Sequence, residues 1–108
     1  MSDFVEVARL EDLPPGTGTV VTVAETDVAI FNVGGSVFAI EDTCPHQGSS
    51  LGTSKLDGMV VTCRGHGMRF NVATGSMPGG SGYSIATYAV KLEDGKIMVA
   101  VGENKGVA

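Results

Sequence analysis

Short β-branched runs, each closed by glycine, aspartate or asparagine, occupy both ends of this chain and leave little room for helix. Thr19 to Ala24 and Val28 to Val33 are two such runs with Glu25-Thr26-Asp27 between them, which reads as a first hairpin. Gly34-Gly35 then separates Val33 from Val37-Phe38-Ala39-Ile40 and signals a second. Near the end, Tyr88 to Leu92 and Lys96 to Val101 flank Glu93-Asp94-Gly95, a third hairpin in which the Asp-Gly step supplies the positive φ of a tight turn. Arg9 to Pro15 reads as a helical turn stopped by Pro14 and Pro15.

Between Ile40 and Ile85 the pattern changes. Nine of the sixteen glycines lie from Gly48 to Gly82, and sixteen in 108 residues is about twice the usual frequency. Only Met59 to Thr62 and Met68 to Val72 read as strands in this stretch. The expectation is an all-β fold: an antiparallel sandwich or barrel base carrying an inserted, loop-rich subdomain at about residues 43–80. At 108 residues the chain suits one domain, 1–108, with no separate catalytic domain.

The inserted region holds every cysteine and histidine of the sequence, in two short segments, Cys44-Pro45-His46 and Cys63-Arg64-Gly65-His66. Sixteen residues separate His46 from Cys63, so the pattern is C-x-H-x16-C-x-x-H. Two thiols and two imidazoles sharing loops in pairs read as one metal site. Zinc uses the same donors, but its ligand pairs are usually spaced by two to four residues, and Cys-Pro-His leaves one. That gives a zinc-stabilised binding module as one rival. The other rivals are a disulfide, disfavoured where thiols are kept reduced, and four residues with unrelated roles.

Charge narrows the partners. Seven lysines and arginines against twelve aspartates and glutamates give a net charge of −5, which is unsuited to a polyanion such as nucleic acid. The first residues lack a basic segment followed by an apolar one, so no secretory signal is expected. No apolar run approaches the roughly 20 residues needed to cross a bilayer. The expectation is a soluble, cytoplasmic protein that does not engage membranes.

The second segment continues as Cys63-Arg64-Gly65-His66-Gly67-Met68-Arg69-Phe70-Asn71-Val72-Ala73-Thr74-Gly75. It resembles the Rieske family's histidine and glycine followed by an aromatic, phenylalanine, an acid or amide, and Thr-Gly. The similarity extends over almost the whole chain: Leu51 stands where the family places an apolar shield, and Pro78 falls in the region of its third, proline-containing loop. The resemblance implies one [2Fe-2S] cluster, with Cys44 and Cys63 on one iron and His46 and His66 on the other. Two thiolates leave the oxidised site neutral where four would make it anionic, so histidine ligation raises the potential.

Departures from the family are informative. Members from respiratory and photosynthetic cytochrome complexes tie the two loops with a disulfide, and Ser49 and Gly65 stand at those positions. The same members place a serine and a tyrosine that donate hydrogen bonds to cluster sulfur, where Met68 and Phe70 stand instead. The expected potential therefore lies at the low end of the Rieske range of about −150 to +300 mV.

The resemblance implies a one-electron carrier rather than an enzyme, with no catalytic residue. Its partners would be a flavin-dependent, NAD(P)H-oxidising ferredoxin reductase and a terminal oxygenase, met in transient docking by a monomer. Arg64, Arg69 and Lys55 are candidate docking contacts. The alternative is the small Rieske-like subunit of an assimilatory NAD(P)H nitrite reductase.

Overall fold

Tight turns build the larger of two sheets. In the computed structural model, which describes residues 4–23, 25–42, 50–52, 54–62, 69–77 and 85–100, β1 spans Val5–Arg9, β2 Thr17–Val23, β3 Thr26–Val33, β4 Ser36–Glu41, β8 Thr87–Glu93 and β9 Lys96–Ala100. They pair antiparallel in the order β1-β9-β8-β4-β3-β2. Val33 faces Ser36 across Gly34 and Gly35, whose φ values are +60° and +101°. Glu93 faces Lys96 across Asp94 at +53° and Gly95 at +75°. Positive φ at both central residues matches the right-handed twist of the flanking strands. The first hairpin is tighter than the sequence suggested: Val23 pairs with Thr26, and Thr26 and Asp27 belong to β3.

β1 and β2, at the two ends of this order, lie against each other, so the sheet curls into a nearly closed barrel. The pairing of β1 with β9 carries a bulge at Val7, between Glu6 and Ala8, which raises local twist where the sheet closes. The sequence did not announce β1, because its residues are mostly exposed and the bulge breaks the alternation. The turn at Leu10–Asp12 is a single 3-10 turn, as expected ahead of Pro14.

Strands β5 (Lys55–Asp57), β6 (Val60–Thr62) and β7 (Arg69–Asn71) form the second sheet, antiparallel in the order β5-β6-β7. β5 was not foreseen, since Leu56 is its one apolar residue. Alternation along β3 and β4 explains how the two sheets join. Val28, Ile30, Val37 and Ala39 face the barrel interior with Leu13, Val23, Ile97 and Val99. Ala29, Phe31 and Ile40 face the other way and pack with Leu51, Val61, Phe70, Val72 and Ile85. β3 is buried on both faces, so it reads as a continuous apolar run. Burying side chains such as Phe31 and Phe70 contributes about 1.5–3 kcal/mol each.

Asn32 is the polar exception in β3. Its Nδ2 donates to the Leu13 carbonyl at 2.7 Å and its Oδ1 accepts the Gly35 N–H at 2.8 Å, which tethers the proline-containing segment to the hairpin. Among the described residues, no helix is long and apolar enough to cross a membrane.

Candidate metal centre

The four predicted ligands, Cys44, His46, Cys63 and His66, lie outside the described residues. The segments that carry them begin and end in described residues. β4 ends at Glu41, and the next residue, Asp42, is 7% exposed. Its Oδ1 accepts the Leu51 N–H at 3.0 Å and the Gly52 N–H at 2.6 Å, and the Ser50 hydroxyl lies 3.0 Å from both carboxylate oxygens. Ser54 adds a hydroxyl donated to the Ser50 carbonyl at 2.8 Å. The carboxylate thus closes the loop between residues 42 and 50, which contains Cys44 and His46. Gly52 is required on its other side as well: a Cβ there would lie 2.5 Å from Val20 Cγ2 and 2.8 Å from the Thr19 carbonyl oxygen.

The second stem is the pair Thr62 and Arg69, the last of β6 and the first of β7. Directly opposed antiparallel residues lie about 4.5–5.5 Å apart at Cα, so the chain containing Cys63 and His66 leaves and returns at one point. In the next row inward, Leu56, Val61 and Phe70 align, and Val61 and Phe70 are fully buried.

A third stem follows from the Asn71 to Gly75 turn. Asn71 Oδ1 accepts the Ala73 N–H at 2.8 Å and the Thr74 N–H at 3.3 Å, and the Asn71 carbonyl accepts the Gly75 N–H at 2.7 Å. Gly75 sits at φ +78°, where a Cβ would collide with the Ile85 carbonyl oxygen. The Ile85 N–H donates to the Gly75 carbonyl at 2.8 Å and closes the segment that contains Pro78. This turn gives the "amide, then Thr-Gly" signature its physical cause: the amide side chain holds the turn and the glycine admits a neighbouring backbone.

All three stems rest on one core, because Leu51, Phe70 and Ile85 belong to the same buried cluster. Leu51 is fully buried, and Phe70 is a packed core residue without a hydroxyl to donate. Lys55 and Arg69 are both exposed. The sequence reading missed Asp42, since a lone aspartate after a strand looks like a solvated charge until its three donors are known. Tyr88, half-buried on β8, has its hydroxyl pKa raised, first by burial and then by the negative charge of Glu41.

Two thiols and two imidazoles suit a two-iron cluster with mixed ligation. Sequence and fold comparisons point the same way. The family model of the Rieske [2Fe-2S] domain matches residues 3–89. Ferredoxin CarAc of Metapseudomonas resinovorans is 38% identical over 105 residues, covering 94% of this chain and 96% of that protein. Among solved structures, the complex of reduced oxygenase and oxidized ferredoxin in carbazole 1,9a-dioxygenase contains a chain with a TM-score of 0.83 and 35% identity, covering 94% of this chain and 95% of that one. The ferredoxin of carbazole 1,9a-dioxygenase from Nocardioides aromaticivorans IC177 gives a TM-score of 0.82 and 30% identity, over 90% of this chain and 96% of that one.

Proposed function

This chain belongs to the Rieske [2Fe-2S] domain family, and on that footing we propose that it is a one-electron carrier, taking electrons from an NAD(P)H-dependent flavin reductase and passing them to a terminal oxygenase. Whole-length likeness to ferredoxin components carries this reading. It is a carrier and not a catalyst: relatives of this length are ferredoxin components of naphthalene 1,2-dioxygenase systems.

The ligand set is Cys44 and Cys63 on one iron and His46 and His66 on the other. The convergence of three closed stems on one core supports it, because both ligand-bearing segments begin and end at that core. When bound, the cluster supplies a centre that accepts and releases a single electron. The chain's own residues close the segments: Asp42 closes the first loop, Thr62 and Arg69 pair at the base of the second, and Gly75 with Ile85 closes the third. Leu51 and Phe70, both fully buried, pack in the core on which these stems rest. With no hydroxyl at Phe70, the midpoint potential falls at the low end of the family range.

The shared core also supports residues 1–108 as one domain. The reading places the carrier in the cytoplasm as a monomer that meets its partners transiently.

Purified protein should be coloured, contain two irons, and give the electron paramagnetic resonance signal of a histidine-ligated cluster after reduction. A flavin reductase with NADH should reduce it, and the reduced protein should sustain oxygenase turnover. Stable copurification with a large sirohaem protein would favour the nitrite reductase subunit. A colourless, zinc-loaded protein would overturn the cluster.

A further inference from the structure

Charge is unevenly distributed along this acidic chain. The whole carries a net charge of −5, yet residues 54–77 hold the three cations Lys55, Arg64 and Arg69 against the single acid Asp57. The remaining cations, Arg9, Lys91, Lys96 and Lys105, lie near the two ends of the sequence. Arg9 and Lys91 are each ion-paired, to Glu11 at 3.5 Å and Glu93 at 3.9 Å.

The small sheet turns this bias into a face. Lys55 pairs with Thr62, and Thr62 pairs with Arg69, so the three form one cross-strand row. The adjacent row, Leu56, Val61 and Phe70, points into the core, so alternation turns Lys55 and Arg69 outward together. Both are exposed, and their strands place them about 10 Å apart at Cα. The row is also the stem of the loop that bears Cys63, Arg64 and His66.

We propose that the Lys55–Thr62–Arg69 row is the docking surface for a redox partner that presents carboxylates around its own electron-exchange site. The proposal rests on the electron-carrier reading above and specifies which face of the carrier is used. A local excess of positive charge, with Asp57 as its one acid, on a molecule whose net charge is negative orients an incoming acidic face before contact. It also repels partners from the rest of the surface, where the net charge is negative. Two exposed long side chains contribute little binding energy when paired, which suits fast release.

Small redox reagents of defined charge can probe the surface in place of the protein partner. The reduced protein loses one electron to hexacyanoferrate(III), an anion, or to hexaamminecobalt(III), a cation, and stopped-flow absorbance follows each reaction. At low ionic strength the variant Lys55→Glu/Arg69→Glu should react about tenfold more slowly with the anion and faster with the cation. Salt should erase both differences. The control variant Lys91→Glu/Lys96→Glu, in the other sheet, makes the same change in net charge and should alter the rates far less. Equal effects in the two variants, or none in either, would overturn the proposal, leaving the row with only the role of cations that discourage strand addition at the edges β5 and β7. The resonance signal of the reduced cluster is recorded for each variant. Its absence from the wild type would overturn the carrier reading and the surface with it. Its presence with unresponsive rates overturns the surface alone.

Discussion

The Gly52 N–H reaches the Asp42 carboxylate at 2.6 Å across a loop that contains Cys44 and His46. The same oxygen holds the Leu51 N–H, so one buried side chain fixes the far side of the loop to the end of β4. Asp42→Ala should destabilise the fold by about 2–4 kcal/mol, because it strands buried donors that water cannot reach. Asp42→Asn keeps an acceptor oxygen in place and should cost less. Denaturant titration measures the fold, and the half-life of iron release to a chelator measures the loop.

Gly75 tests the third stem. Its positive φ and the approach of the Ile85 carbonyl both exclude a side chain. Gly75→Ala should therefore cost more than about 1 kcal/mol. The comparison is Gly16→Ala, which shares a positive φ but has open space around it. A smaller loss at Gly75 than at Gly16 would contradict the close contact.

Phe70 separates packing from ligation. Truncation to alanine in a closed core should cost about 3–5 kcal/mol, a large share of a typical stability of about 5–15 kcal/mol. Iron content should fall only as far as unfolding requires. Cys63→Ser should show the reverse balance, with loss of the cluster signal and a lower melting temperature because the stabilising ligand is gone.

Tyr88 sets an alkaline limit. Its hydroxyl pKa is raised by burial and then by Glu41, so the folded protein holds this proton more tightly than the unfolded chain does. The resulting stability is complete below the ordinary tyrosine pKa and is lost as pH rises through the folded value. Tyr88→Phe should flatten the decline in stability at alkaline pH, in denaturant midpoints compared across that range.

The midpoint potential should lie at the low end of the family's range. A value well above about +100 mV would contradict it, since the inference rests on missing hydroxyl donors to sulfur. Protein-film voltammetry gives the number directly.

Much of this molecule was legible in its residues because the signals were local. Gly34-Gly35 and Asp94-Gly95 demand positive φ and so announce their hairpins. The two Cys-and-His segments, with the Asn71 to Gly75 sequence after them, carry the resemblance to the Rieske family whose model matches residues 3–89. What local pattern omits is burial by distant partners. The sequence reading of β3 as an apolar strand was correct, but only packing shows that both its faces are covered, one by the barrel interior and one by the small sheet. Asp42 carried no local sign of its role, because the donors it holds come from residues 50 to 52. Lys55 and Arg69 are fourteen positions apart in the chain, and pairing through Thr62 makes them one face. The sequence by itself determined the family and the turn positions, since these show in single residues and their immediate neighbours. Only the tertiary structure decided which loops are closed, by what, and which charges stand together, because those depend on contacts between residues far apart along the chain.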